Sequence, residues 1–126
     1  MRPHHRLDAW SKSVDLVIAV YKLTERFPKD ERFGLTSQIR RAAVSIPANV
    51  AEGAARRSKK EFVHFLSNSQ GSASELETEL IIANRLGYLD ERTFSQLISD
   101  LERIGRLITG LSRHLERPKR LSTREE

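Results

Sequence analysis

Apolar residues recur at spacings of three and four along most of the chain, in four segments separated by short polar connections. This spacing is typical of amphipathic helices, because about 3.6 residues make one turn. The segments cover about residues 8–26, 35–53, 58–86 and 90–115. No stretch alternates β-branched and aromatic residues in the way of a strand. The pattern predicts an all-α protein, and the short connections predict an antiparallel up-down four-helix bundle.

The first segment carries two apolar stripes about 120° apart on the helix. One consists of Trp10, Val14, Val17 and Tyr21, and the other of Leu16, Val20, Leu23 and Phe27. An apolar arc this wide exceeds what the surface helix of a monomer usually shows. Asp8 is the predicted N-cap, and Pro28 is predicted to stop the helix. Two stripes are enough to serve both the bundle of the chain itself and a neighbouring copy, so the pattern predicts contact with such a copy.

The second segment contains a proline in its interior. Its apolar seam consists of Leu35, Ile39, Ala42, Ala43, Ile46 and Val50. Pro47 removes one backbone hydrogen bond, so the helix either ends near Ile46 and restarts or continues with a kink. The seam stays in phase from Ile46 to Val50, which favours the kinked, continuous helix. Thr36 or an earlier residue is the expected N-cap, and Gly53 is the expected C-terminal breaker.

The third and fourth segments have clear start signals. Ser58 and Glu61 form a capping box, and Asp90 is a predicted N-cap. The stretch "SNSQGSAS" resembles a loop by composition, but the apolar phase continues through it and predicts helix. Gly87 is predicted to end the third helix. We therefore expect a bundle over residues 1–117 and a disordered polar tail over residues 118–126.

Composition limits the class of protein. The chain has 126 residues, 38% hydrophobic and 31% charged, which fits one domain with a modest core. A small chain this polar often shares its core with a copy of itself. There is no cysteine, no apolar run long enough to cross a bilayer and no apolar stretch like that of a secretory signal. We expect a soluble, cytoplasmic protein without a membrane partner.

Catalytic patterns are weak. The four histidines, His4, His5, His64 and His114, form no helical metal-binding pair. Glu75 and Glu79 lie one turn apart and could serve acid–base or metal chemistry, but such pairs are more often a solvated face. We predict no enzyme, no catalytic residue, no metal site and no cofactor.

A polar strip runs beside the apolar seam of the second helix. It contains Gln38, Arg41, Ser45, Asn49 and Glu52. The third helix has a counterpart in Asn68, Ser72, Glu75 and Glu79. Antiparallel packing brings Arg41 level with residues 71–75, so Glu75 is predicted to pair with Arg41 or Arg40. The alternative is that both strips are merely solvated.

Charge is segregated along the chain, whose net charge is +5. Residues 40–60 hold six basic residues against Glu52, whereas residues 61–112 hold eight acids against four arginines. The densest basic run is Arg56, Arg57, Lys59 and Lys60. Lysines at a helix N-terminus are electrostatically unfavourable for the helix itself, which points to an outside anion such as phosphate. The alternative is a solvated turn.

Two long stretches, "FGLTSQIRRAAVSIPANVAEGAARRSKKEFVHFL" and "GSASELETELIIANRLGYL", resemble the bacterial four-helix-bundle proteins encoded in intervening sequences of 23S ribosomal RNA genes. The resemblance spans about Leu7 to Leu115. It implies a protomer that assembles into a ring-like homopentamer, and kinship with accessory proteins of diversity-generating retroelements, which bind nucleic acid and a reverse transcriptase. The family's recurrent polar residues fall on Gln38, Arg40, Arg41, Ser45, Asn49, Glu52 and Glu75.

The expected function is therefore that of a non-enzymatic homo-oligomer that binds structured RNA or DNA through basic rims. The alternative is a protein-interaction scaffold, and a hydrolase using Glu75 and Glu79 is a third, remote hypothesis. The expected partners are other copies of the chain, RNA or DNA, and a reverse transcriptase or another protein.

Overall fold

The computed structural model describes residues 2–118. Four helices make up the fold: α1 (Asp8–Thr24), α2 (Leu35–Ala54), α3 (Lys59–Arg85) and α4 (Glu91–Glu116). Short 3-10 turns, Pro3–Arg6 and Lys29–Glu31, precede α1 and α2, and no strand occurs within the described range. The predicted all-α four-helix bundle is confirmed. The tail predicted over residues 118–126 lies, after Pro118, outside the described residues.

The helices form a square in which each packs on its two chain neighbours, with α4 closing back on α1. Side-chain hydrogen bonds fix the antiparallel register. Ser69 Oγ on α3 donates to the carbonyl of Ile46 on α2 at 2.9 Å. Gln70 Nε2 on the same helix donates to Thr109 Oγ1 on α4 at 2.9 Å. The small side chains of "SNSQGSAS" therefore lie inside a continuous helix and let its neighbours approach, as the apolar phase predicted.

The core consists of the predicted seams. Its fully buried large side chains include Val20, Ile39, Ile46, Leu66, Leu76, Leu80, Ile104 and Ile108. The stripe of α1 that contains Leu16 and Val20 is buried in this core, whereas Trp10 and Val17 of the other stripe are half-buried against it. On the opposite side of that helix, Tyr21 and Ile18 are 41% and 51% exposed. The described residues thus leave an apolar surface on α1 without a cover.

Helix α2 runs without a break through Pro47, which is buried. The prediction of a continuous helix is confirmed. The role predicted for Gly53 is wrong, because the helix continues through it to Ala54. A Cβ atom at Gly53 would lie 2.9 Å from both Phe62 Cδ1 and Phe65 Cβ. This glycine allows α2 and α3 to approach, and it does not terminate the helix.

The ends of α3 and α4 follow the sequence signals, whereas the start of α1 and the end of α2 do not. Ser58 Oγ accepts from the Glu61 amide at 3.0 Å, and Asp90 Oδ1 accepts from the Thr93 amide at 2.7 Å. Gly87, at φ 82°, follows the end of α3 as predicted. Asp8 is not a cap, since Leu7 holds that position.

The N-cap of α2 lies before Thr36, within the expectation of Thr36 or an earlier residue. The N-cap of α2 is Gly34, and the Leu35 amide donates to Glu31 Oε1 in the preceding turn at 3.1 Å. Helix α1 ends at Thr24, two residues earlier than predicted.

Candidate nucleic-acid interface

The predicted nucleic-acid-binding residues lie at one end of the bundle, where α2 turns into α3. Arg56 and Arg57 belong to the connection, and Lys59 and Lys60 form the first turn of α3. All four side chains are exposed. The serine cap at Ser58 satisfies an amide of this helix end, so the two lysines extend from an ordered turn.

Arg56 differs from the other three, because its guanidinium is held by its own surroundings. Its Nη2 forms an ion pair with Glu52 Oε2, and its Cζ lies 4.7 Å above the ring centre of Phe65. Glu52, predicted as part of the polar strip, therefore orients a residue of the basic turn. An exposed pair of this kind contributes little to stability, at most about 1 kcal/mol.

Antiparallel topology brings further positive charge to the same end. The chain begins there and α4 ends there, and Lys59 and Lys60 share a shallow hollow with Leu115 and Glu116 of α4. The additional basic residues of this end are Arg2, Arg6, Arg113 and Arg117. Together with the four predicted residues they make eight. We call this set the basic end: Arg2, Arg6, Arg56, Arg57, Lys59, Lys60, Arg113 and Arg117. The sequence-based interpretation missed the additional four, although the predicted topology alone was enough to find them.

The paired histidines near the N-terminus also lie at this end. The His4 and His5 rings pack against Trp10, with ring centres 4.9 and 5.1 Å from that of the indole. The pKa of His4 is lowered from its ordinary value by burial first and then by the charges of His5 and Arg2. This contact keeps the N-terminal turn against α1.

Apart from Glu52, the polar residues predicted on α2, Arg40 included, divide between three surroundings. Ser72 Oγ donates to Ser45 Oγ at 2.8 Å, and Asn49 Nδ2 donates to the Ser45 carbonyl at 2.8 Å, so this part lies at the α2–α3 seam. Arg40 turns towards α1, where Nε donates to Thr24 Oγ1 at 2.8 Å. Its Cζ lies 4.5 Å above the ring centre of Tyr21.

The third part of the strip, Gln38 and Arg41, lines an open groove of about 800 Å³ together with Glu75 and Glu79. The predicted ion pair between Glu75 and Arg41 or Arg40 is not formed in the single chain. The one ion pair within residues 2–118 joins Arg56 and Glu52. Arg40 is engaged by α1, and Arg41 shares the groove with Glu75 without closing on it.

Glu79 is the residue whose surroundings differ most from the expectation of a solvated face. It is 6% exposed, and its Oε1 has no hydrogen-bond partner in the described chain. Burial, and secondarily the charge of Glu75, raises its pKa to about 7. The signal was present in the sequence, because Glu79 lies three residues after the core position Leu76 and next to the core position Leu80.

Two further properties concern the described chain as a whole. Residues 2–118 contain no group of three or more histidine or carboxylate side chains arranged to hold a metal ion. None of their helices combines the length and apolar character that crossing a membrane requires.

Fold and site together define a four-helix-bundle protein with one strongly basic end. The family model described as 23S rRNA-intervening sequence protein matches residues 5–110, and the chain belongs to this family. The resemblance found in the sequence is thereby confirmed.

A crystal structure of a protein of unknown function, from the S23 ribosomal protein family of Bacteroides thetaiotaomicron VPI-5482, has a similar fold, with a TM-score of 0.77. The two chains are 23% identical, and the match covers 82% of this chain and 97% of the other. At this identity the likeness concerns the fold alone. A comparison with curated proteins gives no significant match.

Proposed function

We propose that the protein is a non-enzymatic, cytoplasmic homo-oligomer, a pentameric ring, that binds structured RNA or DNA through its basic end. The observation that carries the proposal is the concentration of eight lysine and arginine residues at one end of the bundle. Phosphate contacts supply most of the affinity in sequence-independent binding, and exposed cations on ordered elements are suited to make them.

Local structure explains why these cations are available to an outside anion. Arg57, Lys59 and Lys60 are exposed, and among the described residues none of them forms an ion pair. Arg56 is pre-oriented by Glu52 and Phe65, which reduces the conformational entropy lost when it binds. Helix α3 gains nothing from lysines in its first turn, so an external ligand is the better explanation for them.

The uncovered apolar residues support oligomerisation. Tyr21 and Ile18 on α1, Val44 on α2 and Ile82 on α3 are each more than 40% exposed. Large apolar side chains exposed on three adjacent helices are typical of an interaction surface. A ring presents several basic ends at once, so modest contacts gain affinity through multivalency.

The test is the salt dependence of binding to a structured RNA and to a DNA duplex. Each phosphate contact adds about 0.7–0.9 to the slope of log affinity against log salt concentration. Replacing Arg57, Lys59 and Lys60 with glutamine should flatten the slope by about two to three units per engaged protomer. The matched control replaces Lys29, Arg32 and Arg85 with glutamine, which removes the same charge from the opposite end.

The proposal expects the control variant to keep most of the wild-type slope, and both variants to keep the oligomeric mass measured by light scattering. An absence of measurable binding near physiological salt would contradict it. So would equal losses in the two variants, because net charge rather than the basic end would then determine affinity.

A second candidate is a protein-interaction scaffold, and the observation that favours it is Phe33. This ring lies in the α1–α2 connection, at the end opposite the basic residues, and is 89% exposed. The Arg32 guanidinium carbon lies 5.3 Å above its centre. A reverse transcriptase or another protein bound there would leave the basic end free, so Phe33→Ser should weaken protein binding and leave the salt slope for nucleic acid unchanged.

A further inference from the structure

The groove over α2 is a site that the single chain leaves incomplete. Tyr21 lines it from α1, Arg41 and Val44 from α2, and Glu75 and Glu79 from α3. Two of these side chains, Tyr21 and Val44, are exposed apolar groups. Further along the same face of α3, at helical spacing from Glu79, follow Ile82 and Leu86, which are also exposed.

Glu79 shows what kind of group is missing. Its carboxylate is more than nine-tenths buried, it lines the groove, and Oε1 has no partner. Buried polar groups in folded proteins nearly always have partners, and a buried carboxylate needs a cation or several donors. Glu75 adds a second negative charge, and Arg41 on the groove wall forms an ion pair with neither carboxylate. The two carboxylates outnumber this one cation, so a guanidinium or an ammonium is the group that would complete the site.

A complementary surface exists on another face of the same chain. A groove of about 500 Å³ lies between α1 and α4, on the side of the bundle away from the α2–α3 seam. Its lining includes Lys22, Leu23, Arg26, Arg92, Leu97 and Asp100. This cationic groove therefore combines three basic groups and one acid with an apolar floor.

We propose that the acidic groove at Glu75 and Glu79 binds the cationic groove of a second copy of this chain, whose basic side chains complete the site. The contact joins two different faces, so it is head-to-tail, and repetition of a head-to-tail contact closes a ring when the rotation allows it. The inference rests on the proposed oligomer and states which faces form it.

Charge complementarity within the chain favours this occupant over another protein. The acidic face and the cationic groove carry opposite charges, and the apolar residues beside each are suited to be buried together. Docking also gives Glu79 the partner that it lacks. Association therefore removes an unfavourable feature of the isolated protomer, which is the thermodynamic reason to expect it.

A charge swap in the full-length chain tests the proposal. Glu75→Lys and Arg26→Glu, each alone, place like charges against each other across the contact. Each single variant should weaken association at least about tenfold. The double variant should return to within about threefold of the wild type, because the two reversed charges attract again. Analytical ultracentrifugation over a concentration series measures the association.

Two more variants separate interface from folding. Glu79→Gln keeps the shape and removes the charge, so it should weaken association while leaving the single chain at least as stable to urea. Glu102→Lys makes the same charge change as Glu75→Lys on the exposed face of α4 and should leave association unchanged.

The outcomes also separate this inference from the proposed function. A wild-type protein that stays a single chain at all concentrations overturns both. If Glu75→Lys and Arg26→Glu do not weaken association, or if the double variant does not recover it, the pairing of these two faces is wrong. The proposed oligomer is then still supported, with an interface formed elsewhere.

Discussion

Individual residues were predictable where a local rule determines their role. The caps at Ser58 and Asp90 depend only on the next few residues, and both are present. Asp8 and Gly53 were misassigned because neighbours in space decide their roles. Gly53 faces Phe62 and Phe65 of the next helix, a contact that no local pattern encodes.

Glu79 is the residue at which stability should depend most clearly on pH. Its folded pKa of about 7 lies above the ordinary value of 4.5, so the folded chain binds more protons between these values. Stability must therefore fall as pH rises through this window and level off above it. The charged groups lining the groove are Glu75, which opposes ionisation of Glu79, and Arg41, which forms no ion pair with either carboxylate.

We expect Glu79→Gln to stabilise the single chain by an amount that grows with pH. The gain should rise by about 1.4 kcal/mol per pH unit above about pH 4.5 and reach up to about 3 kcal/mol near pH 7. Urea unfolding from pH 4.5 to 8, at concentrations at which light scattering shows single chains, measures it. A gain that is the same at every pH would mean that the buried carboxylate is not the cause.

At the scale of helices, the sequence predicted the number, type and order of elements, because apolar periodicity is set by the helical turn itself. It also predicted that α2 passes through Pro47 and that α3 passes through "SNSQGSAS". It did not predict the close approach of α2 and α3 at Gly53. Close approach depends on which residues of two helices face each other. The apolar pattern of a single helix shows only the residues of that helix.

Two glycines inside helices provide a matched test of helix approach. A Cβ at Gly53 would meet Phe62 and Phe65 at 2.9 Å, whereas a Cβ at Gly71 in α3 would meet nothing within 4 Å. Gly71→Ala should stabilise the protein by about 0.5–1 kcal/mol through helix propensity. Gly53→Ala should destabilise it by about 1–3 kcal/mol, because α2 and α3 must move apart.

Urea titration of the wild type and of the two variants measures the change in the free energy of unfolding caused by each substitution. The sign of the difference is the result that matters. Two stabilising substitutions of equal size would mean that the packing at Gly53 is loose enough to take a methyl group.

At the scale of the whole molecule, topology turns a scattered charge pattern into two distinct regions. Positive charge from the N-terminus, the α2–α3 turn and the end of α4 gathers at the basic end. The groove carboxylates Glu75 and Glu79 lie further along α3, away from that end. The sequence predicted the basic turn but not its extension, because charge was counted along the chain instead of across the bundle.

Because the two regions are separate, one substitution in the groove should have two opposite effects on RNA affinity, one through charge and one through assembly. Glu75→Lys adds two positive charges per chain, and charge alone would strengthen binding to RNA. If affinity depends on several basic ends held in one ring, loss of assembly should outweigh this gain, because multivalent affinity exceeds that of a single site by about 10² or more. We therefore expect Glu75→Lys to bind structured RNA more weakly than the wild type. Filter binding at fixed salt measures this, with Glu102→Lys as the control for added charge. Affinity equal to or above that of the control would mean that single protomers suffice for binding.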